Sequence, residues 1–331
     1  QSPNRPIAQS PNRPIAQSHN HRFMRILITG GAGQLGWELR RTLAIFGEVV
    51  APPRDILDLA SADSIVAAVR GVRPDLIVNA AAFTAVDQAE SKTDLAMKIN
   101  GDAPRIFAEE AALRNAALIH YSTDYVFDGG KAEPYREDDE TAPINVYGRT
   151  KLAGEQGVRA ADTAHLVFRT SWVYGSRGRN FLLTMLRLAR QRKELKVVDD
   201  QFGAPTSARL IAEATSGALA KNYAAGKLDI DGMREISGLY HLTAAGRTTW
   251  YGFAQAILAG KEGMAKVSPI PTSSYPTPAR RPQNSMLDNS KLEKQFGFTL
   301  PDWKVGLQLC IEELAERRTV TGEQRTAKRE R

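Results

Sequence analysis

The sequence predicts an α/β protein built on a doubly wound parallel sheet, with a smaller C-terminal lobe. Three observations carry this expectation. From Met24 onward, short apolar runs alternate with amphipathic stretches of helical length, as strands joined by crossover helices do. The first apolar run ends in Gly30, Gly33 and Gly36, a spacing that can bring a pyrophosphate onto a helix N-terminus. Tyr147 and Lys151 then stand four residues apart, one helical turn above each other.

Arg25–Thr29 reads as a buried strand and Gln34–Phe46 as the helix that the glycine turn opens. Glu48–Ala51 follows as a strand, Ser61–Arg70 as a helix and Leu76–Ala80 as a strand. Asp94–Asn115 is mostly helical, with Pro104 near an internal start. Ala117–Ser122, Asn145–Ala160 and His165–Thr170 continue as strand, helix and strand. Residues 24–170 are therefore expected to form a Rossmann-type NAD(P)-binding domain, whose ligands sit at the carboxyl ends of the strands. Beyond Thr170 the alternation loosens. Helices are expected at Asn180–Arg192, Ala208–Asn222, Thr248–Ala259 and Pro301–Arg317, with a strand at Gly238–Thr243 and an ordered loop or linker in the proline-rich Pro271–Pro282. Residues 171–316 are read as mainly a substrate-binding lobe, from which the chain can cross back to the sheet.

Charge is concentrated at the ends. Residues 1–23 contribute three and residues 317–331 four of the +7 net charge, leaving residues 24–316 formally neutral. A nucleic-acid reader carries a basic face on its folded body, so nucleic acid is not an expected partner. No apolar run reaches the length of a membrane span, and no membrane partner is expected. Residues 1–8 recur as 9–16; their proline density and lack of an apolar face predict a disordered tail of vector or upstream-frame origin through residue 23. Met24 is the expected natural start, without a signal peptide, and residues 317–331 are expected to form a disordered basic tail. Cys310 is the single cysteine and lies in an apolar pattern, which suits a buried thiol and a cytoplasmic location.

The chemistry-bearing residues cluster at strand ends. An ammonium at Lys151 should favour the Tyr147 phenolate and lower its pKa, making the phenol a usable proton donor near neutral pH. Tyr-x-x-x-Lys alone is common on surface helices; behind a dinucleotide turn it points to hydride transfer. Ser122 and Thr123 end the preceding strand, where a hydroxyl can reach a substrate carbonyl oxygen beside Tyr147. The small residues after Asn79 let a flat ring or ribose lie against the backbone. After the second strand the run is Ala51-Pro52-Pro53-Arg54. It lacks the acid that holds the ribose hydroxyl of NAD, whereas a guanidinium suits the 2′-phosphate of NADP. NADPH is the expected cofactor, with NADH the alternative.

Taken with Val78–Asp87, Tyr121–Gly129, Phe168–Tyr174, Asp200–Thr206 and Tyr275–Pro282, these residues resemble the extended short-chain dehydrogenase/reductase family, within it the branch that reduces the C4 ketone of a dTDP-linked 6-deoxysugar. The resemblance runs from Met24 to about Leu314. It implies that Tyr147 protonates the ketone oxygen, Lys151 holds the nicotinamide ribose, and Thr123 hydrogen-bonds the same oxygen. It also implies cofactor contacts at Gly30, Gly33, Gln34, Leu35, Gly36, Arg54, Asp58, Leu59, Ala81, Ala82, Phe83 and Thr84. Substrate contacts would come from Thr123, Asp124, Trp172 and Arg281, the last on the pyrophosphate. Some members bridge two subunits through Mg²⁺ with an acid just after Ala-Pro-Thr. Here Arg209 stands nearby, so no metal site is expected, and a homodimer stays open by other routes. An epimerase or dehydratase of nucleotide sugars, and a catalytically silent NADP-binding regulatory subunit, are the competing readings.

Overall fold

A computed structural model describes residues 23–329, with side chains through Arg317. The expected N-terminal tail lies outside the described residues except for Phe23.

Alternation along the first strands explains the layering. In β1 (Met24–Thr29), Ile26 and Ile28 enter one core with Leu39 and Ile211, while Leu27 enters another with Ile65 and Phe107. Successive strand side chains point to opposite faces, so a strand buried on both faces must be apolar almost throughout. β2 (Gly47–Val50), β3 (Leu76–Asn79), β4 (Ala117–Thr123), β5 (Ala164–Thr170) and a sixth strand, Gly238–His241, complete the sheet in the order sixth, β5, β4, β3, β1, β2. All five pairings are parallel. Every residue of β3 and β4 is buried. Helices α1 (Gln34–Thr42) and Ala208–Ala220 cover one face; α2 (Ala62–Val72) and Ala103–Ala112 cover the other, with Val146–Ala160 packed beside Ala103–Ala112.

A second core gathers Leu182, Leu186, Leu195, Val197, Phe253, Ile257, Trp303 and Cys310. Burial there pushes the Cys310 thiol up to about 12, which removes thiolate chemistry near neutral pH. Part of this core is a parallel pair, Glu194–Val198 with Lys266–Ile270, which local spacing does not predict. The expected Asp94–Asn115 helix is instead Thr93–Met97, a π-turn at Lys98–Asp102 and Ala103–Ala112. One helix runs from Trp303 to Arg329, into the stretch from 317 where a disordered tail is expected. That stretch contains no proline and many strong helix formers, and Arg317 is anchored on the Ser176 carbonyl and on Glu313.

Candidate active site

The glycine turn has the geometry a pyrophosphate needs. Gly30 holds a left-handed φ of 67°, and a Cβ at Gly36 would lie 2.1 Å from the Gly30 carbonyl oxygen. α1 opens on Gly33 with no side-chain cap and no acid in its first turn. Its first N–H groups therefore face a site with no competing anion, which fits the diphosphate of NADPH. Gln34 and Leu35 form that first turn. Arg54 and Asp58 follow β2; Arg54 is exposed, while the Asp58 carboxylate accepts the Ala60 N–H at 3.1 Å. Leu59 is half-buried next to it. Ala81, Ala82, Phe83 and Thr84 follow β3 as a partly open ledge. Asn100, which sequence reasoning missed, shapes this ledge: its buried amide accepts the Phe83 N–H at 2.8 Å and donates to the Phe83 carbonyl at 3.2 Å.

Tyr147 and Lys151 lie on the helix Val146–Ala160, whose cap ties it to the second half. Asn145 Oδ1 accepts the Gly148 N–H, and its Nδ2 donates to the Arg280 carbonyl, both at 2.8 Å. Gly148 lets this helix close onto the end of β4, since a Cβ there would sit 2.1 Å from the Tyr125 carbonyl oxygen. Thr123 ends β4; it donates to Asp124 at 2.9 Å and accepts the Tyr125 N–H at 3.2 Å, and the charge of Asp124 acts on the Tyr147 phenol. The structure thus brings Thr123, Asp124 and Tyr147 together.

The expected lowering of the Tyr147 pKa is overturned. Burial raises it, the Asp124 carboxyl adds to the rise, and only the Thr123 hydroxyl works against it. Lys151 does not offset this, because its Nζ turns to the Tyr121 carbonyl at 2.6 Å and to His120 Nε2 at 3.3 Å. Burial in turn lowers Lys151 to about 8, against the pull of Glu155. Asp124 is pushed up to about 6 by burial, with the Ser285 and Thr123 hydroxyls opposing. Its Oδ2 is buried without a hydrogen-bond partner.

Beyond these groups opens a cleft of about 480 Å³, lined by Tyr125, Gln201, Trp250, Tyr275 and Arg281 among others. Arg281 lines it, with its fork closed on Asp87 at 2.7 and 2.8 Å. Trp172, expected to line the sugar–nucleotide site, is not among the lining residues. It stacks on Trp250 at 3.6 Å and 9°, and Trp250 is the ring that faces the cleft. A tryptophan at that position carried no signal of its own in the sequence. Arg209 lies 3.5 Å from Glu38 and 3.7 Å from Glu313. Its guanidinium already supplies the positive charge between these two carboxylates, and among the described residues no acidic or histidine cluster is arranged for a metal.

Fold and site together define an oxidoreductase of the extended short-chain dehydrogenase/reductase class. A family model, the RmlD substrate binding domain, matches residues 24–316. The dTDP-4-dehydrorhamnose reductase of Burkholderia thailandensis is 48% identical over 302 residues, covering 88% of this chain and 99% of that protein. The crystal structure of a dTDP-4-dehydrorhamnose reductase from Clostridium acetobutylicum has a TM-score of 0.81 at 38% identity, covering 88% of this chain and all of that one. One from Bacillus anthracis in complex with NADP has a TM-score of 0.79 at 34% identity, covering 88% and 99%. The chain belongs to the dTDP-4-dehydrorhamnose reductase family.

Proposed function

We propose that this protein uses NADPH to reduce the C4 ketone of dTDP-4-dehydro-6-deoxy-L-mannose, giving dTDP-L-rhamnose. The observation that carries the reading is the placement of Thr123 at the carboxyl end of β4 and of Tyr147 on the helix that Gly148 lets close onto that end, with a glycine turn shaped for a dinucleotide at the same end of the sheet. When bound, the cofactor supplies the hydride. Thr123 orients the ketone oxygen and Tyr147 gives it a proton. A phenol raised by burial stays protonated at neutral pH, the state a reductase needs at the start of its cycle. Lys151 holds the nicotinamide ribose, Asp124 meets the sugar, and Arg281 with Trp250 grips the nucleotide end.

The test supplies the dTDP-linked 4-keto sugar with NADPH, and with NADH in parallel, and follows cofactor oxidation and product together. One NADPH oxidised per rhamnosyl product supports the reading. Sugar turnover without net NADPH loss would instead make the protein an epimerase or dehydratase, and binding without turnover a regulatory subunit. The reading includes a cytoplasmic location and assembly as a homodimer. Sedimentation of the active protein as a monomer alone would remove the second part.

A further inference from the structure

The register of the sheet places three polar side chains in one row across adjacent strands. Thr29 ends β1, Asn79 ends β3 and His120 lies within β4, and they are paired as Thr29 with Asn79 and Asn79 with His120. All three are buried, at 0%, 1% and 0% exposure. Their side chains form a continuous chain: Thr29 Oγ1 to Asn79 Oδ1 at 2.7 Å, Asn79 Nδ2 to His120 Nδ1 at 3.2 Å, and His120 Nε2 to Lys151 Nζ at 3.3 Å. Thr29 Oγ1 also accepts the Ala81 N–H at 3.0 Å, so the row starts at the cofactor ledge and ends on Lys151.

Donor and acceptor rules allow this chain two polarities. When Asn79 donates to His120 Nδ1, the imidazole proton sits on Nε2 and points at Lys151, which must then be a neutral amine to accept it. When Lys151 is an ammonium, it donates to Nε2. The proton moves to Nδ1, where the Asn79 backbone carbonyl, or its side-chain oxygen once turned toward the ring, accepts it. In both states Lys151 keeps a hydrogen for the Tyr121 carbonyl. Burial, and next the charge of Lys151, hold His120 well below its ordinary pKa, so the ring changes tautomer rather than charge. The other charges facing the pair are Glu155, four residues along the helix, and Arg169 from β5, which closes on Glu155 through bonds of 2.9 and 2.7 Å. Asn79 and Thr29 bring none.

We propose that His120 is a positioning residue that supports Lys151 in both its charged and its neutral form, through a hydrogen-bond chain whose polarity reverses when Lys151 loses its proton. The proposal rests on the reductase reading for its effect on turnover, but not for the switch itself. Full-length protein labelled with ¹⁵N-histidine, free and bound to NADP⁺, reads the switch directly. The ring signals of His120, one of five histidines, are identified by their loss in His120→Gln. Its proton is expected to move between Nδ1 and Nε2 with a midpoint near the Lys151 value of about 8, and to stay put in Lys151→Met. In pH profiles of kcat/KM, His120→Leu removes the acceptor and should shift the basic limb down by about one unit, since a hydrogen bond to a charged group is strong enough for that. His120→Gln, whose amide can play either part, should restore most of the shift. A His120 ring that keeps one tautomer from pH 6 to 10 overturns the proposal, as do basic limbs that coincide in wild type and His120→Leu. A protein that turns over no keto sugar sinks the reductase reading and leaves the NMR result standing.

Discussion

Tyr147 and Asp124 share one small volume, and burial favours the protonated form of both. Tyr147→Phe keeps the edge-on ring contact with Tyr125, centroids 5.6 Å apart, and removes only the hydroxyl group. Turnover is expected to fall by about 10²–10⁴ while the Kd for NADPH holds, by fluorescence titration; a Phe variant with full turnover would take Tyr147 out of the chemistry. Burial pushes the Asp124 carboxyl up to about 6 from an ordinary 3.8. The folded protein therefore holds this proton more tightly than the unfolded chain. Its contribution to stability is present below about pH 4 and lost as pH rises through about 6. Asp124→Asn carries no such loss, so its melting temperature should climb relative to wild type between about pH 4 and 7. At the top of that range the gain should be on the order of 1–3 kcal/mol. A difference that does not change with pH would show that the wild-type carboxylate carries no burial penalty.

The helix bearing Tyr147 and Lys151 is fastened to β5 by Glu155 and Arg169, with 1% and 2% side-chain exposure, and the guanidinium also lies 4.9 Å from the Phe127 ring centroid. Taking one charge away leaves the other buried and unpaired, so Glu155→Ala should cost about 3–5 kcal/mol in urea unfolding. Replacing both, as Glu155→Leu with Arg169→Met, should recover most of that loss, since well-packed apolar residues often match a buried pair. A double variant as unstable as the single one would mean that Arg169 holds more than Glu155. The helix itself was legible in the sequence as Asn145–Ala160, from the alternation of apolar runs with stretches of helical length. So were the glycine turn and Thr123, since each is a local feature at the end of an apolar run. The parallel pair Glu194–Val198 with Lys266–Ile270 was not: its strands lie about seventy residues apart, and Pro269 argues against a strand. The pairing of Asp87 with Arg281 and of Asn100 with Phe83 was hidden for the same reason. Partners chosen by tertiary packing leave no mark in local spacing, and the electrostatic reading of Lys151 on Tyr147 failed because helical spacing says nothing of where an ammonium finds its acceptors.

At the scale of the whole molecule, the last described side-chain anchor of the C-terminal helix is Arg317. Removing residues 318–331 should leave turnover unchanged and stability within about 0.5 kcal/mol, by activity assay and thermal melting. A larger loss would show that the end of the helix docks. The order of the sheet has a consequence for synthesis. β5 pairs on one side with β4 and on the other with Gly238–His241, a strand that follows almost seventy residues later. While the chain emerges from the ribosome, everything through Thr170 can assemble, yet the outer backbone edge of β5 has nothing to bond until residue 241 is free. At a typical synthesis rate of about 5–20 residues per second, that edge stays open for several seconds. It is a bare strand margin of the kind that recruits a neighbouring nascent chain. Conditions that slow translation between residues 170 and 241 should therefore lower the soluble yield of this protein more than the same delay placed after residue 241.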